Sequence, residues 1–185
     1  IGLDGWTSLI GFDPEEARQR VAELPWVQSV SIRKIYPDTI EVELTEKKPF
    51  ALWQHGNEVS VIERSGNVIA PFTSNRHAVL PLLIGTGARE RADNFVGRVA
   101  FYPELSARVK AYIRVGERRW NLRLENGITV RLPEENEDGA IGDLAEMDRS
   151  GGLLSRDVVG IDMRIADRLT LQLSAITMIF GLALG

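Results

Sequence analysis

The stretch that decides the fold runs from Ala22 to Pro49, AELPWVQSVSIRKIYPDTIEVELTEKKP. It contains a helix end and two runs of alternating apolar and polar residues, with a turn at residues 36–38 between the runs. Alternation with a period of two is typical of strands that bury one face. We therefore predict a β-hairpin, whose core-facing apolar side chains are Val30, Ile32, Ile40, Val42 and Leu44.

A short amphipathic helix is predicted immediately before this hairpin. Asp13 is a suitable N-cap, and Pro14 fits the first helical position. Pro25 ends the helix, because the residue before a proline is disfavoured in helical conformation. The apolar face of this helix consists of Ala17, Val21 and Leu24. We expect this face to pack against a sheet. Helix and hairpin together form a compact module that ends at residues 47–49.

The rest of the chain is predicted to form a larger domain rich in short strands. Asn126-Gly127 is typical of a tight hairpin turn, and a further turn is expected at residues 166–167. The predicted strands cover residues 50–53, 58–62, 68–69, 120–124, 128–132, 158–164 and 168–173, and the predicted helices residues 89–101, 103–110 and 141–147. The fold class is therefore α+β, a small N-terminal module followed by a larger strand-rich domain with flanking helices.

Composition excludes several classes of protein. The 185 residues include no cysteine, which excludes disulfides and thiolate metal sites. No segment of about 20 apolar residues could span a bilayer. Residues 51–133 hold twelve basic and seven acidic side chains, which raises the hypothesis of a nucleic-acid surface. The arginines form no basic run and have no interleaved aromatic residues, so this hypothesis is disfavoured.

The sequence offers no candidate catalytic residue, cofactor site or metal site. His55 and His77 are the two histidines, and both are expected to be solvated loop residues without regularly spaced ligands nearby. Residues 85–87 form a lone G-x-G, which is more typical of a loop than of a phosphate cradle. The carboxylates of residues 134–138 lie on one polar segment and are expected to face water.

Two arginines before a tryptophan have two interpretations. Arg119 fits the solvent face of a strand whose other face is Trp120, Leu122 and Leu124. Arg118 and Arg119 also fit a cationic contact for an acidic partner, because guanidinium groups bind carboxylates well. The sequence leaves both interpretations open.

A set of ordered motifs resembles one known family. Residues 24–53 read L-P-W-V-x-x-V-x-I-R-K-x-Y-P-D-T-I-x-V-x-L-x-E-K-x-P-x-A-x-W, which resembles the POTRA module of the bacterial division family FtsQ/DivIB. Then follow G-x-V at 66–68, L-P-x-L-x-G at 80–85, R-R-W-x-L-x-L-x-N-G-I-x-V-x-L-P at 118–133 and I-D-M-R at 161–164. Other proteins with POTRA modules lack this second domain, so the match is specific.

The resemblance implies a domain organisation and a function. It implies a truncated POTRA domain at residues 1–48, a β domain at residues 49–174 and an apolar tail of unclear status at residues 175–185. It also implies a non-catalytic scaffold of the divisome that binds no cofactor. Such a protein is anchored in the inner membrane by a single span outside this segment, and this region lies in the periplasm, at the septum during division.

The resemblance further implies partners and contact residues. FtsB, with FtsL, is expected to add a strand to the last β strand, at Arg164, Ile165, Arg168, Leu169, Thr170, Leu171, Gln172 and Leu173. Exposed backbone donors give the affinity in such strand addition, and alternate side chains give the specificity. Arg119 or Arg118 is expected to pair with an acidic residue of the same partner. FtsK and other division proteins are expected to bind the POTRA domain at Ser29, Ile32 and Lys34.

This sequence departs from the family pattern at the expected interface. Some members use a tyrosine and a small residue there, where this chain has Ile165 and Asp167-Arg168. Two alternative functions stay open. A POTRA-type chaperone of outer-membrane protein assembly would bind unfolded strands broadly, and a cell-wall hydrolase would cleave peptidoglycan.

Overall fold

The computed structural model describes residues 11–165 and 168–174. The four helices of these residues are α1 (Pro14–Ala22), α2 (Ala88–Ala100), α3 (Pro103–Arg108) and α4 (Glu137–Gly151). The eleven strands are β1 (Val27–Ile35), β2 (Thr39–Glu46), β3 (Ala51–His55), β4 (Glu58–Ile62), β5 (Val68–Pro71), β6 (Leu82–Ile84), β7 (Val109–Val115), β8 (Arg119–Leu124), β9 (Thr129–Arg131), β10 (Val158–Ile165) and β11 (Arg168–Leu173). Two short 3-10 helices, Asn75–His77 and Leu153–Ser155, complete the described elements. The predicted α+β fold is confirmed.

The N-terminal module is a helix packed on a hairpin. The Asp13 carboxylate accepts the backbone N–H of Glu15 at 2.9 Å and of Glu16 at 3.3 Å, which caps α1. Strands β1 and β2 pair antiparallel. The small core consists of Phe12, Ala17 and Ile32, with Val21, Val30 and Ile40 packed against it.

Two residues predicted for this core are exposed. Val42 and Leu44 on β2 keep 43% and 49% of their surface accessible. The reason lies in the position of α1, which packs chiefly against β1. A nine-residue helix is also only about 13 Å long, which is shorter than an eight-residue strand. The alternation therefore predicted the strand correctly but not the burial of its whole apolar face.

The larger domain is built on one open sheet. Its nine strands have the order β11-β10-β9-β8-β7-β6-β3-β4-β5. Pairs β3/β6, β6/β7 and β9/β10 are parallel, and the other pairs are antiparallel. The parallel pairs β6/β7 and β9/β10 are each connected through helices, α2 with α3 and α4 respectively. This topology leaves β11 and β5 at the two edges of the sheet.

The helices bury one face of this sheet. Phe95 on α2 stacks on Trp120 of β8 with ring centroids 4.3 Å apart, and it meets Tyr112 of β7 edge to face at 6.0 Å. Ile141 and Leu144 bring α4 into the same core. A single apolar cluster therefore holds all three helices of the domain against the sheet.

Several elements differ from their predicted extents. The sequence predicts a helix from Pro103 to residue 110 and no strand after it, but the helix ends at Arg108 and strand β7 follows directly. The three-residue strand β6 was also missed, since three residues are too few to show a period. Helix α4 is longer at both ends than residues 141–147. The turn predicted at residues 166–167 lies outside the described residues, as does the tail at 175–185.

A stacked pair joins the two parts of the chain. Trp26 stacks on His77 with ring centroids 4.9 Å apart, and it packs against the cluster of Leu52, Val61 and Ile69. The N–H of Lys47 donates to the Trp26 carbonyl oxygen at 2.8 Å. His77 is therefore a half-buried packing residue and not the solvated loop histidine that the sequence predicted.

The Phe95 stack gives a stability prediction. Phe95 is 1% exposed, so Phe95→Ala leaves a cavity over Trp120, and we expect a loss of about 3–5 kcal/mol in the free energy of unfolding. Phe101→Ala is the matched control, because Phe101 is 82% exposed, and it should change that free energy by less than about 0.5 kcal/mol. Urea denaturation followed by tryptophan fluorescence measures both. Equal effects would contradict this description of the core.

Candidate docking edge

Within residues 11–165 and 168–174, strand β11 is an edge strand that pairs antiparallel with β10 alone. Ile161 lies opposite Leu171, and Asp162 lies opposite Thr170. The N–H of Ser174 donates inward to the Asp157 carbonyl oxygen at 3.4 Å. Because backbone donors alternate in direction along a strand, the N–H groups of residues 169, 171 and 173 point away from β10. This edge offers hydrogen-bonding groups for one more strand.

The opposite edge of the sheet is blunted. The N–H of Phe72 donates to the Val59 carbonyl oxygen at 2.8 Å, so the nitrogen side of the preceding residue, Pro71, faces outward. Proline has no N–H, and proteins use it on edge strands to prevent further pairing. Strand β5 also has only four residues, against six in β11. Of the two edges, β11 is therefore the better site for an added strand.

Apolar side chains accompany the free edge. Leu171 and Leu173 are 39% and 42% exposed, and Ile165 is 61% exposed. Leu169 is half-buried against the core. Thr170, Gln172 and Arg168 project from the exposed strand as well. An incoming strand would therefore meet leucine side chains on one face and polar side chains on the other.

A cleft of about 720 Å³ lies between the β10–β11 pair and α4. Its lining includes apolar side chains from Met147, Met163 and Leu169, and charged ones from Glu135 and Arg168. The cleft opens beside the free edge, so side chains of an added strand could enter it. Pockets of this mixed character typically receive a few anchoring side chains of a partner.

Two arginines fix α4 beside the hairpin. Arg98 on α2 pairs with Glu137 at 2.5 Å and with Asp138 at 3.1 Å, which holds the first turn of α4. Arg108 donates to the Leu154 carbonyl oxygen at 2.5 Å and pairs with Asp148 at 3.3 Å, which holds the last turn. Glu137 is only 12% exposed in its side chain, so the prediction that all these carboxylates face water is wrong for it.

An internal ion pair shapes the end of β10. The Arg164 Nε donates to Asp162 Oδ1 at 2.9 Å and Nη2 donates to Oδ2 at 2.5 Å. The hydrogen bonds and charge of Arg164 hold the pKa of the Asp162 carboxyl below its ordinary value of 3.8. The guanidinium of Arg164 is therefore engaged within the chain, while Arg168 extends beside it.

The two arginines before Trp120 differ in their surroundings. Arg118 is exposed, and its Nε lies 3.6 Å from the Glu134 Oε2. Arg119 is half-buried and lines a shallow pocket of about 390 Å³ with Asp162, Arg164 and Arg168, among others. Within the described chain the Nε of Arg119 is buried without a hydrogen-bond partner. A buried donor of this kind is costly unless it is satisfied, so Arg119 is the better candidate for an anionic partner group.

The three POTRA candidates have different exposure. Ser29 is exposed on β1, and Lys34 is half-buried near the end of the same strand. Ile32 is 9% exposed and packs in the core with Phe12 and Ala17. The three residues are thus not presented together on one surface, and the Ile32 side chain holds β1 to α1.

Two further arginines were missed by reasoning from sequence. Arg123 on β8 and Arg131 on β9 lie on the sheet face opposite the helices, together with Arg119. The period-two spacing of Arg119, Asn121 and Arg123 was a readable signal for a shared face. The neighbourhood of Arg131 depends on strand pairing and could not be read from local sequence.

The described residues carry no sign of a metal site. In residues 11–165 and 168–174 no group of three or more His, Cys, Asp or Glu side chains is placed to hold a metal ion. In the same part of the chain, no helix has the length and apolar character needed to cross a membrane.

Comparison with known proteins gives one consistent family. Residues 51–164 match the family "Cell division protein FtsQ/DivIB, C-terminal", and residues 1–47 match "POTRA domain, FtsQ-type". "Cell division protein FtsQ" of Rhizobium radiobacter is 51% identical over 174 residues, which is 94% of this chain and 83% of that protein.

Two further relatives agree. The protein of the same name from Agrobacterium fabrum is also 51% identical over 174 residues, 94% of this chain and 55% of that protein. The one from Caulobacter vibrioides is 34% identical over 155 residues, 84% of this chain and 51% of that protein. This chain therefore spans about half the length of two of these three relatives.

The Asp162–Arg164 pair gives a prediction about pH. Because the pKa of Asp162 is lowered in the folded state, its stabilising contribution is present above the ordinary carboxyl pKa and is lost as pH falls through the lowered value. We expect Arg164→Gln to raise the pKa of Asp162 towards 3.8, as followed by carbon-13 NMR titration of that carboxyl. Arg149→Gln, which removes only the pair with Glu146, is the control. An unchanged Asp162 pKa in Arg164→Gln would refute the assignment.

Proposed function

The chain belongs to the FtsQ/DivIB family of cell division proteins, and on this premise we propose that it is a non-catalytic scaffold of the divisome whose docking site is the free edge of β11. The observation that carries the proposal is the contrast between the two edges of the sheet. In the part of the chain that the structure describes, the outward N–H groups of residues 169, 171 and 173 on β11 meet no further strand, while β5 is short and carries Pro71. A scaffold needs such a persistent, selective contact surface and no reactive group.

The proposed occupant of the β11 edge is a strand of FtsB, which brings FtsL with it. The added strand would continue the nine-stranded sheet and satisfy the outward donors of Leu169, Leu171 and Leu173. Its side chains on one face would pack against these leucines and reach the cleft beside α4. Ile165 and Arg168 would contact the partner where the strand enters the sheet.

Charged side chains would help to orient the partner on this surface. Arg119 would receive an acidic residue of FtsB, since its Nε is buried without a partner in the described chain. Arg118 already lies near Glu134 and would contribute less. Ser29 and Lys34 on β1 would meet FtsK and other division proteins, with Ile32 supporting the strand from the core.

The proposed setting is the inner membrane at the septum. The chain spans 55% of the Agrobacterium fabrum relative, and the membrane anchor is proposed to lie in the remaining part of the protein. Residues 1–48 would form the POTRA domain and residues 49–174 the β domain, both in the periplasm. In this setting the protein would link other division proteins to septal cell wall synthesis.

Strand addition predicts a specific effect of proline. Leu171→Pro removes an outward N–H and places a ring in the path of the added strand, while the inward donors of β11 remain. We expect the affinity for an FtsB periplasmic segment from the same genome to fall at least about tenfold, because about one to two hydrogen bonds to the added strand would be lost. Isothermal titration calorimetry with the purified chain measures this, and circular dichroism confirms that the variant is folded.

Val79→Pro is the matched control, because Val79 is 92% exposed in a loop outside the strands. It introduces the same ring and removes a similar apolar side chain, and it should leave the affinity unchanged. Wild-type affinity in a folded Leu171→Pro variant would refute docking at the edge. Equally tight binding of unrelated outer-membrane strand peptides would instead favour the chaperone, and release of peptidoglycan fragments would favour a hydrolase.

A further inference from the structure

A groove on the helix layer lies apart from the β11 edge. It runs between α4 and the corner where α2 meets α3, and it consists of two pockets of about 200 and 170 Å³. Phe101 and Tyr102 line both pockets and therefore lie at the middle of the groove. We call this surface the helix groove; on α4 it extends from Asp138 to Asp148.

The helix groove presents apolar side chains to solvent. The Phe101 side chain is 82% exposed. Ile141 and Ala145 on α4 line one pocket each. An added Cβ at Gly142 would come within 3.0 Å of the Tyr102 hydroxyl oxygen, so the hydroxyl end of Tyr102 lies directly against α4. The groove therefore has an apolar floor and one prominent aromatic side chain at its centre.

The backbone around the helix groove is already hydrogen-bonded. At the corner, the N–H of Phe101 donates to the Arg98 carbonyl oxygen at 3.3 Å, and the N–H of Tyr102 donates to the Val99 carbonyl oxygen at 3.0 Å. The other wall is α4, in which backbone groups pair within the helix. The described residues of the groove thus include no strand edge, and an occupant has to satisfy its own backbone groups. An α-helix does this, whereas a single extended strand does not.

The length of the groove suits a partner helix. Asp138 and Asp148 are about 15 Å apart along α4, which is nearly three helical turns. Together with Ile141 and Ala145 they recur at intervals of three and four residues, so one side of α4 forms the whole wall. Met147, on another side of α4, lines the cleft beside β11. Helix α4 therefore separates the helix groove from the β11 edge.

Acidic side chains flank Phe101 on both sides. Glu104 lines the pocket on one side of Phe101 and Asp138 the pocket on the other, and both are exposed. Within the described residues, Glu104 has no ion pair, and Asp138 shares the Arg98 guanidinium with Glu137. Helix α4 as a whole carries five acidic side chains and one basic side chain. The helix groove therefore combines an apolar centre with a surplus of negative charge.

This charge discriminates between different occupants. A second copy of the chain, related by a two-fold axis, would bring the acidic surface of one α4 against the same surface of the other, which is repulsive. The phosphates of a membrane surface or of a nucleic acid would be repelled as well. Lysine and arginine side chains would be attracted at both ends of the groove, and an apolar side chain between them would fit beside Phe101.

We propose that the helix groove is a second docking site, which binds a basic amphipathic helix of another protein. The bound helix places an apolar side chain against Phe101 and Tyr102, and basic side chains against Glu104 and Asp138. Because α4 separates the helix groove from β11, both partners can be bound at the same time, and neither contact depends on the other. A scaffold with two such sites links two proteins to each other.

The test uses the full chain and a fluorescently labelled helical peptide, three repeats of Leu-Lys-Lys-Leu-Leu-Lys, with a matched peptide that has glutamate at every lysine position. We expect Phe101→Ala to bind the lysine peptide at least about tenfold more weakly, because the apolar contact with the ring is lost. Val79→Ala is the control, since Val79 is also exposed, and it should bind like the wild type. Fluorescence anisotropy at low salt measures both affinities.

A charge variant tests the acidic side chains separately. Glu104→Gln/Asp138→Asn should bind the lysine peptide about three- to tenfold more weakly, as for two surface ion pairs. Its affinity should also depend less on salt concentration. Glu46→Gln/Glu58→Gln removes the same charge at exposed positions of β2 and β4, and it should keep the wild-type affinity.

The outcomes distinguish the two docking sites. Wild-type affinity in Phe101→Ala, an equal loss in Val79→Ala, or equal binding of the glutamate peptide would overturn the proposal. Self-association of the chain, or binding to phosphatidylglycerol vesicles, that Phe101→Ala abolishes would assign the groove to a different occupant and overturn it as well. Leu171→Pro should bind the lysine peptide normally, and Phe101→Ala should bind the FtsB segment normally. A failure of FtsB to bind would therefore count against the proposed function alone.

Discussion

An open sheet has two edges whose backbone groups no further strand satisfies, and this constraint organises the larger domain. Such edges favour unwanted pairing unless they are blunted or used. Here β5 ends in Pro71 and has four residues, while β11 keeps its outward donors and carries half-exposed leucines. The ability to pair with a further strand is thus suppressed at the β5 edge and retained at the β11 edge. A scaffold protein can work through the retained edge alone.

The two faces of the sheet have separate roles. On one face, the Phe95–Trp120 stack and the apolar residues of α4 form the core, and Arg98 and Arg108 hold α4 at both ends. Helix α4 then forms one wall of the cleft beside β11. On the other face, Leu52, Val61 and Ile69 form a second apolar cluster at the β3–β5 end, and Arg119, Arg123 and Arg131 lie at the β8–β9 end. Core and cleft therefore meet at the β10–β11 pair, where the candidate contacts of the larger domain are concentrated.

Much of the fold could be predicted because its signals are local. Alternation located the hairpin of β1 and β2 and the strands β8, β10 and β11, and Asp13 with Pro14 marked the start of α1. Strand β7 was missed because its local signal is weak: the predicted helix covered its first two residues, and Tyr112 and Ile113 are apolar neighbours that break the alternation. The insertion of β6 between β3 and β7 could not be read, since parallel pairing joins residues distant in sequence. The position of Arg131 beside Arg119 and Arg123 and the exposure of Val42 also depend on non-local packing.

The most direct measurement of the central claim is hydrogen–deuterium exchange of the backbone amides, in the free chain and with the FtsB segment added. Unpaired outward amides exchange rapidly, and a strand added to the sheet would protect them. The account predicts new protection at residues 169, 171 and 173, with no change at residues 68–70 of β5. Protection confined to other regions, with β11 exchanging as in the free chain, would contradict it.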